Sequence, residues 1–260
     1  MVRKKPLVVV TRKLPEVIET RMMELFDTRL NDSDTPLTKA ALIEALKSAE
    51  ILVPTVTDRI DASVLAQAGD KLKLIANFGN GVDNIDIGAA ARKGITVTNT
   101  PNVLTEDTAD MTMGLMIATA RRLTEGFEAL ENGAFKGWSP TWMLGRRIWG
   151  KRLGIVGMGR IGKVIARRAS GFDMKIAYHS RRKVADVPFT HYDKLVDLAK
   201  NSDYLVAIIP GGKDTFHLIN EAVLRALGPK GILVNVARGS VVDEAALVKC
   251  LQEGALGGAG

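Results

Sequence analysis

The chain has 260 residues, 46% of them hydrophobic and 25% charged, an ordinary balance for a soluble globular protein of one large domain or two modest ones. Its net charge of +7 is scattered, with no stacking platform or recognition motif, so it argues for an anionic cofactor and general solvation and against nucleic acid. No run of 18 apolar residues and no signal-peptide pattern occurs, so no membrane partner is expected, and the lone Cys250 excludes an internal disulfide and fits a reducing, cytoplasmic compartment.

Leu7–Val10 predicts a short buried strand. Residues 15–26 predict a helix, with Pro15 early and Val17, Ile18, Met22, Leu25 and Phe26 as its apolar face. A second helix is expected over 37–49 with Thr38 as cap, then a strand at Ile51–Val53 stopped by Pro54. A short helix over 61–68 capped by Asp61, a strand over 72–76, a helix over 87–93 and a strand over 95–98 follow. Strands alternating with helices argue for a parallel sheet with crossovers. Between the 72–76 strand and the next helix lies Phe78-Gly79-Asn80-Gly81-Val82-Asp83. A loop after a strand sits at the carboxyl edge of such a sheet, and its accessible N–H groups suit a small carboxylate, although a plain glycine-rich turn reads the same way.

Residues 105–131 predict one long helix. Met111, Leu115, Met116, Ala118, Thr119 and Leu123 cover so much of its circumference that it should be buried, in a core or against a partner. Residues 132–149 read as an irregular arm bearing Trp138, Trp142 and Trp149, which point to an interface unless they cover the chain's own core.

The apolar run 153–156 leads into Gly157-Met158-Gly159-Arg160-Ile161-Gly162, a helical pattern over 163–170 and a second strand over 174–178. Strand, Gly-x-Gly-x-x-Gly turn, helix and strand form the dinucleotide-binding unit, and the context outweighs an ordinary tight turn. Gly157 allows the turn, Gly159 lets backbone approach a pyrophosphate, and Gly162 lets helix and strand pack closely. The acid that would hold an NAD ribose is missing from the end of the second strand. Ser180-Arg181-Arg182 stands there instead. Unless that is merely a solvated basic loop, a hydroxyl and two planar cations favour NADP(H) over NAD(H). Further strands are expected over 203–209 and 232–236, and helices over Glu221–Leu227 and 243–252, the last of which makes Cys250 a packing residue. Arg238 follows a strand of this unit. A guanidinium there can hold a 2-oxo acid carboxylate bidentately, or simply pair at the surface. No metal site is expected, and no histidine completes a hydride-transfer site: His179 lies at the adenosine end, and His191 and His217 have no partner that the sequence names.

Four segments resemble the D-isomer-specific 2-hydroxyacid dehydrogenases: Gly79-Asn80-Gly81-Val82-Asp83-Asn84-Ile85-Asp86, Thr108-Ala109-Asp110, Gly157 to Gly162, and Asn235-Val236-Ala237-Arg238-Gly239-Ser240-Val241-Val242-Asp243-Glu244. The Ser180-Arg181-Arg182 end is similar to the glyoxylate/hydroxypyruvate reductase branch. The resemblance implies an α/β protein of two doubly wound parallel sheets. Residues 1–100 would be a flavodoxin-like substrate domain and 101–260 a Rossmann coenzyme domain, with the active site in the cleft between them. It implies NADPH-dependent reduction of glyoxylate or hydroxypyruvate to the D-2-hydroxy acid. Arg238 would be catalytic, with Asn80, Gly81 and Arg238 on the substrate. Thr108, Gly157, Gly159, Arg160, Ile161, Gly162, Ser180, Arg181, Arg182, Pro210, Thr215, Val236 and Ala237 would be on the cofactor. The long helix and tryptophan arm would form a homodimer. The loop Ile209-Pro210-Gly211-Gly212 departs from the family's commoner Cys-Pro-Leu-Thr. The family's Glu and His acid/base pair would fall beyond residue 260, as would the last strands of the coenzyme sheet and a returning tail. The chain thus resembles about the first four-fifths of such an enzyme, which should aggregate readily and turn over poorly. The alternative is a non-catalytic, corepressor-like dinucleotide-binding protein.

Overall fold

The computed structural model describes residues 4–260. The chain divides into two compact units, Met1–Val103 and Leu104–Gly260.

The first unit alternates β1 (Leu7–Val10), α1 (Glu16–Leu25), β2 (Asp27–Arg29), α2 (Lys39–Ser48), β3 (Ile51–Val53), α3 (Ala62–Leu65), β4 (Leu74–Ala76), α4 (Ile87–Arg92) and β5 (Thr96–Thr98). Its five strands run parallel in the order β2-β1-β3-β4-β5, the flavodoxin-like doubly wound arrangement. Side chains of β1 alternate between two cores. Val9 faces one cluster with Leu42, Leu46, Leu52 and Ile75, and Val8 and Val10 face another with Leu14 and Val53. The helix starts are set by short polar side chains that accept backbone N–H groups: Thr38 from Ala41, Asp61 from Ser63 and Val64, Asp86 from Ala89. β2 escapes the sequence pattern because Asp27, Thr28 and Arg29 carry no apolar alternation. Its place is fixed only by pairing with β1.

The second unit contains α5 (Thr105–Ala120), α6 (Leu123–Glu131), β6 (Arg152–Val156), α7 (Arg160–Ser170), β7 (Lys175–His179), β8 (Thr190–His191), α8 (Leu195–Lys200), β9 (Tyr204–Ala207), α9 (Glu221–Leu227), β10 (Ile232–Asn235), α10 (Glu244–Gln252) and β11 (Gly258–Ala259). The six strands are parallel, in the order β11-β10-β9-β6-β7-β8. Neighbouring residues again serve opposite faces: Val206 joins the cluster of Leu153 and Ile155, and Leu205 that of Val156 and Leu233. The sequence pattern leaves the sheet at β10. Gly258–Ala259 adds a strand beside Ile232–Leu233, hidden by its glycine-rich composition. α8 is a further element absent from the expected set, although Leu195, Leu198 and Ala199 mark a buried i, i+3, i+4 stripe.

One expected element is corrected. The single helix over 105–131 is two helices, α5 and α6, broken where Arg122 takes a left-handed φ of 56°. In an unbroken helix Thr124 would claim the Ala120 carbonyl. Here the returning chain claims it, through the Arg146 N–H at 2.6 Å. Gly145 packs so close that a Cβ would lie 2.8 Å from the same oxygen. Nor is α5 buried all round. Its inner stripe is Ala109, Thr112, Met113, Met116 and Ala120, while Met111 is 62% exposed.

Arg152 and Asp203 tie the start of β6 to the start of β9. The carboxylate accepts from Arg152 Nη2 (3.0 Å), Nε (3.2 Å) and the backbone N–H (2.9 Å). The guanidinium holds the Asp203 carboxyl below its ordinary range. A carboxyl whose folded pKa is depressed contributes stability above its unfolded value, about pH 4, and loses it as pH falls through the folded value. Asp203→Asn should therefore cost about 1–2 kcal/mol at pH 7, after allowance for partial exposure. That difference should shrink below about pH 4, as urea denaturation at pH 7 and pH 3 will show.

Candidate functional site

The turn between β6 and α7 is shaped by three glycines with different surroundings. Gly157 has φ 109°, and a Cβ there would meet the Ile208 carbonyl oxygen at 2.3 Å. A Cβ on Gly162 would lie 2.1 Å from the Gly157 carbonyl oxygen, where α7 crosses the strand end. Around Gly159 nothing lies within 4 Å of that position. Gly159 precedes α7 in extended conformation, and no side chain caps the first N–H groups of this eleven-residue helix. Arg160 opens the helix, exposed, and Ile161 packs against the core.

β7 ends beside this turn, with Val156 paired to His179. The following residues are held by backbone and histidine contacts. His191 Nε2 meets the Ser180 carbonyl (3.1 Å), and His179 Nδ1 meets the Tyr192 carbonyl (2.9 Å). His191 thereby gains a partner that the sequence does not name. The Ser180 hydroxyl donates to the Arg182 carbonyl (2.6 Å), so its proton serves the loop. Arg181 and Arg182 are exposed.

Beyond β9, the Thr215 hydroxyl donates to the carbonyls of Pro210 (2.8 Å) and Gly212 (3.2 Å), closing the Pro210-Gly211-Gly212 loop on itself. Thr108 lies half-buried in the second turn of α5. Beyond β10, the Val236 N–H donates to Ala207 (3.1 Å). Asn235 braces the turn that carries Arg238: its Oδ1 accepts from the Ala237 N–H (3.1 Å) and its Nδ2 donates to the Arg238 carbonyl (3.0 Å). Arg238 Nη1 donates to the Ala237 carbonyl (2.9 Å). His217 joins the same edge. Its N–H donates to the Ser240 carbonyl (2.8 Å), its ring stacks on Phe216, and its Nδ1 lies 3.9 Å from Asp243.

In the first unit, the loop after β4 carries Asn80 and Gly81. Asn77, buried at the strand end, donates through Nδ2 to the Gly81 carbonyl (2.8 Å), and Asn99 Nδ2 donates to the Asn80 carbonyl (2.7 Å).

The profile of the family described as D-isomer specific 2-hydroxyacid dehydrogenase, NAD binding domain, matches residues 113–260. A glyoxylate reductase of Thermococcus onnurineus is 43% identical over 263 residues, covering 98% of this chain and 78% of the relative. This chain belongs to the D-isomer-specific 2-hydroxyacid dehydrogenases. A second relative, a glyoxylate reductase of Korarchaeum cryptofilum, is 43% identical with the same coverage. The crystal structure of an NADPH-dependent glyoxylate/hydroxypyruvate reductase from Sinorhizobium meliloti, in complex with NADP and malonate, superposes with a TM-score of 0.87 at 38% identity, over 98% of this chain and 78% of that one.

The dehydrogenase is therefore an oxidoreductase that uses a nicotinamide dinucleotide, and its second unit fits one. The Gly159 opening is a cradle that any Cβ would begin to fill, set at the positive end of α7. No helix among the described residues is long and apolar enough to cross a membrane. Sequence reasoning missed the asparagines. Asn77, Asn99 and Asn235 each hold a loop whose neighbours were picked out, but an asparagine in a turn carries no signal of which carbonyl it will reach.

The dehydrogenase's glycines should separate by substitution. Gly157→Ala and Gly162→Ala should each cost about 1–3 kcal/mol, lowering the melting temperature by roughly 3–10 °C in a unit of this size. Gly159→Ala should leave it within about 1–2 °C, since surface changes stay within about 0.5 kcal/mol. Thermal melts followed by circular dichroism make the comparison.

Proposed function

We propose that this dehydrogenase is an NADPH-dependent reductase of glyoxylate or hydroxypyruvate, producing the D-2-hydroxy acid. The observation that carries the cofactor choice is the end of β7, where exposed Arg181 and Arg182 stand in place of a ribose-binding acid. Two guanidiniums suit a 2′-phosphate dianion, and an acid there would repel it. The substrate class follows the relatives, whose names are those of glyoxylate and glyoxylate/hydroxypyruvate reductases. Those names give no support to a non-catalytic, corepressor-like reading.

In this reading the N–H groups at the start of α7, around Gly157, Gly159, Arg160, Ile161 and Gly162, take the pyrophosphate. Ser180, Arg181 and Arg182 flank the adenosine ribose. Thr108, Pro210, Thr215, Val236 and Ala237 line the remainder of the dinucleotide. Bound there, the reduced nicotinamide supplies a hydride. The Arg238 guanidinium, braced by Asn235, orients the substrate carboxylate bidentately and draws charge toward the 2-oxo oxygen. In the first unit, the backbone amides of Asn80 and Gly81 are donors suited to a substrate carboxylate. NADH would serve less well than NADPH by about 10- to 100-fold, because each tenfold needs only 1.4 kcal/mol and two charge-assisted contacts exceed that after screening. Arg181→Ala combined with Arg182→Ala should erase most of the preference. Dissociation constants for NADPH and NADH, measured by fluorescence titration on both proteins, decide it, and equal affinities in the unsubstituted protein would overturn the proposal.

The proposed assembly is a two-fold homodimer through α6 and the arm that follows. Leu123, Phe127 and Leu130 of α6 are exposed, and so are Trp138 (86%), Trp142 and Trp149. The alternative, that these tryptophans cover the chain's own core, gains nothing from such exposure. So many large apolar side chains exposed on two successive segments mark an interaction surface, and a two-fold contact would cover both copies alike. Light scattering at micromolar concentration should give twice the chain mass, and Phe127→Glu should halve it.

A further inference from the structure

Three consecutive carbonyl oxygens of the loop after β4 are held, each by a different donor. The Thr100 N–H donates to Gly79 (3.0 Å), Asn99 Nδ2 to Asn80 (2.7 Å) and Asn77 Nδ2 to Gly81 (2.8 Å). No cis peptide occurs among the described residues. In a trans peptide the N–H lies on the edge opposite its carbonyl. Pinning the carbonyls of Gly79 and Asn80 therefore turns the N–H groups of Asn80 and Gly81 away from the donors that hold the loop. Among the described residues neither of those two amides donates a hydrogen bond.

The clamp is anchored in the body of the unit. Asn77 is 2% exposed, and its Oδ1 accepts from Asn84 Nδ2 (3.3 Å). Asn84 Nδ2 also donates to the carbonyls of Thr55 (3.1 Å) and Asp58 (3.2 Å). The buried Asp58 carboxylate accepts from the Thr11 hydroxyl (2.5 Å) and the Thr55 N–H (2.8 Å). A chain of polar groups thus runs beneath the carboxyl edge of the sheet from the end of β1 to Gly81. The paired members restrain what they hold, although Asn84 Oδ1 is buried without a hydrogen-bond partner among the described residues. Asn99 differs. It is exposed just beyond β5, and its side chain makes one hydrogen bond among the described residues, to the Asn80 carbonyl.

We infer that Asn77 and Asn99 are positioning residues for the substrate carboxylate: they fix the peptide planes of the loop so that the Asn80 and Gly81 amides face an anion before it arrives. This rests on the role proposed above for those two amides. Donors set in advance bind an anion without the cost of ordering a glycine-rich loop at the moment of binding. Asn99 gives the cleaner test because its side chain lies outside the core.

The probe is oxalate, titrated by calorimetry into the protein saturated with NADP+, with the backbone amide protons followed by NMR. In the unsubstituted protein the Asn80 and Gly81 amide protons should shift on oxalate binding. Asn99→Ala should weaken oxalate by about 5- to 10-fold, the cost of one lost hydrogen bond. NADP+ affinity and melting temperature should stay unchanged, which a merely structural role would not preserve. If oxalate leaves both amide protons of the unsubstituted protein unmoved, the role of the loop itself is wrong and the inference falls with it. If those amides shift but Asn99→Ala binds oxalate within twofold of the unsubstituted protein, the positioning inference alone is overturned.

Discussion

The second unit depends on one close approach, that of α7 to the end of β6. The helix must begin directly off the strand for its N–H groups to stand at the carboxyl edge of the sheet, where doubly wound folds take ligands. That geometry leaves no room for a Cβ at Gly157 or Gly162, yet it leaves the Gly159 position open. Two of the glycines are thus required by neighbouring protein atoms, and the third is not. β7 follows in register with β6, so the basic Ser180–Arg182 end arrives beside the turn as a consequence of the sheet. β9 and β10 extend the same edge in the other direction, bringing the Pro210 loop and the Arg238 turn.

In the proposed function, binding of anions would be the common theme of these polar features, through three physical devices. The first is the helix dipole with its unpaired N–H groups at α7. The second is the planar guanidinium: Arg181 and Arg182 on an exposed edge, and Arg238 on a turn braced by Asn235. The third is bare backbone, the amides of the loop after β4. In that reading the net charge of +7 would be the long-range companion of these local devices.

Many other charges serve the scaffold. Arg168 bridges Glu106 and Asp110, joining α5 to α7, and Arg225 bridges Glu221 and Glu253, joining α9 to the end of α10. Exposed pairs contribute little singly, but networks spanning two elements fix their relative placement better than isolated pairs do. The sequence shows such residues as charges of helical spacing and cannot distinguish them from ligand-binding ones. Asp203 and Arg152 illustrate the point: fifty-one positions apart, they meet only because β6 and β9 are neighbours.

What the sequence determined by itself was local. Periodicity, caps and glycine spacing set β1, α2, β3, α9, the β6–turn–α7 unit and the parallel class of both sheets, because each signal is complete within a few residues. Thr38 and Asp61 cap as expected, since a short side chain reaches its own helix start without help from elsewhere. Tertiary structure decided the rest. β2, β8 and β11 exist only as partners of stronger strands, and their own residues carry no pattern. The helix over 105–131 is locally continuous and is broken by a distant residue, Arg146, which takes the Ala120 carbonyl. The asparagine clamp on the loop after β4 joins Thr55, Asp58, Asn77, Asn84 and Asn99 across three strand ends. Hydrogen bonds of that reach are chosen by where the sheet places its carbonyls, and the chain alone does not specify that place.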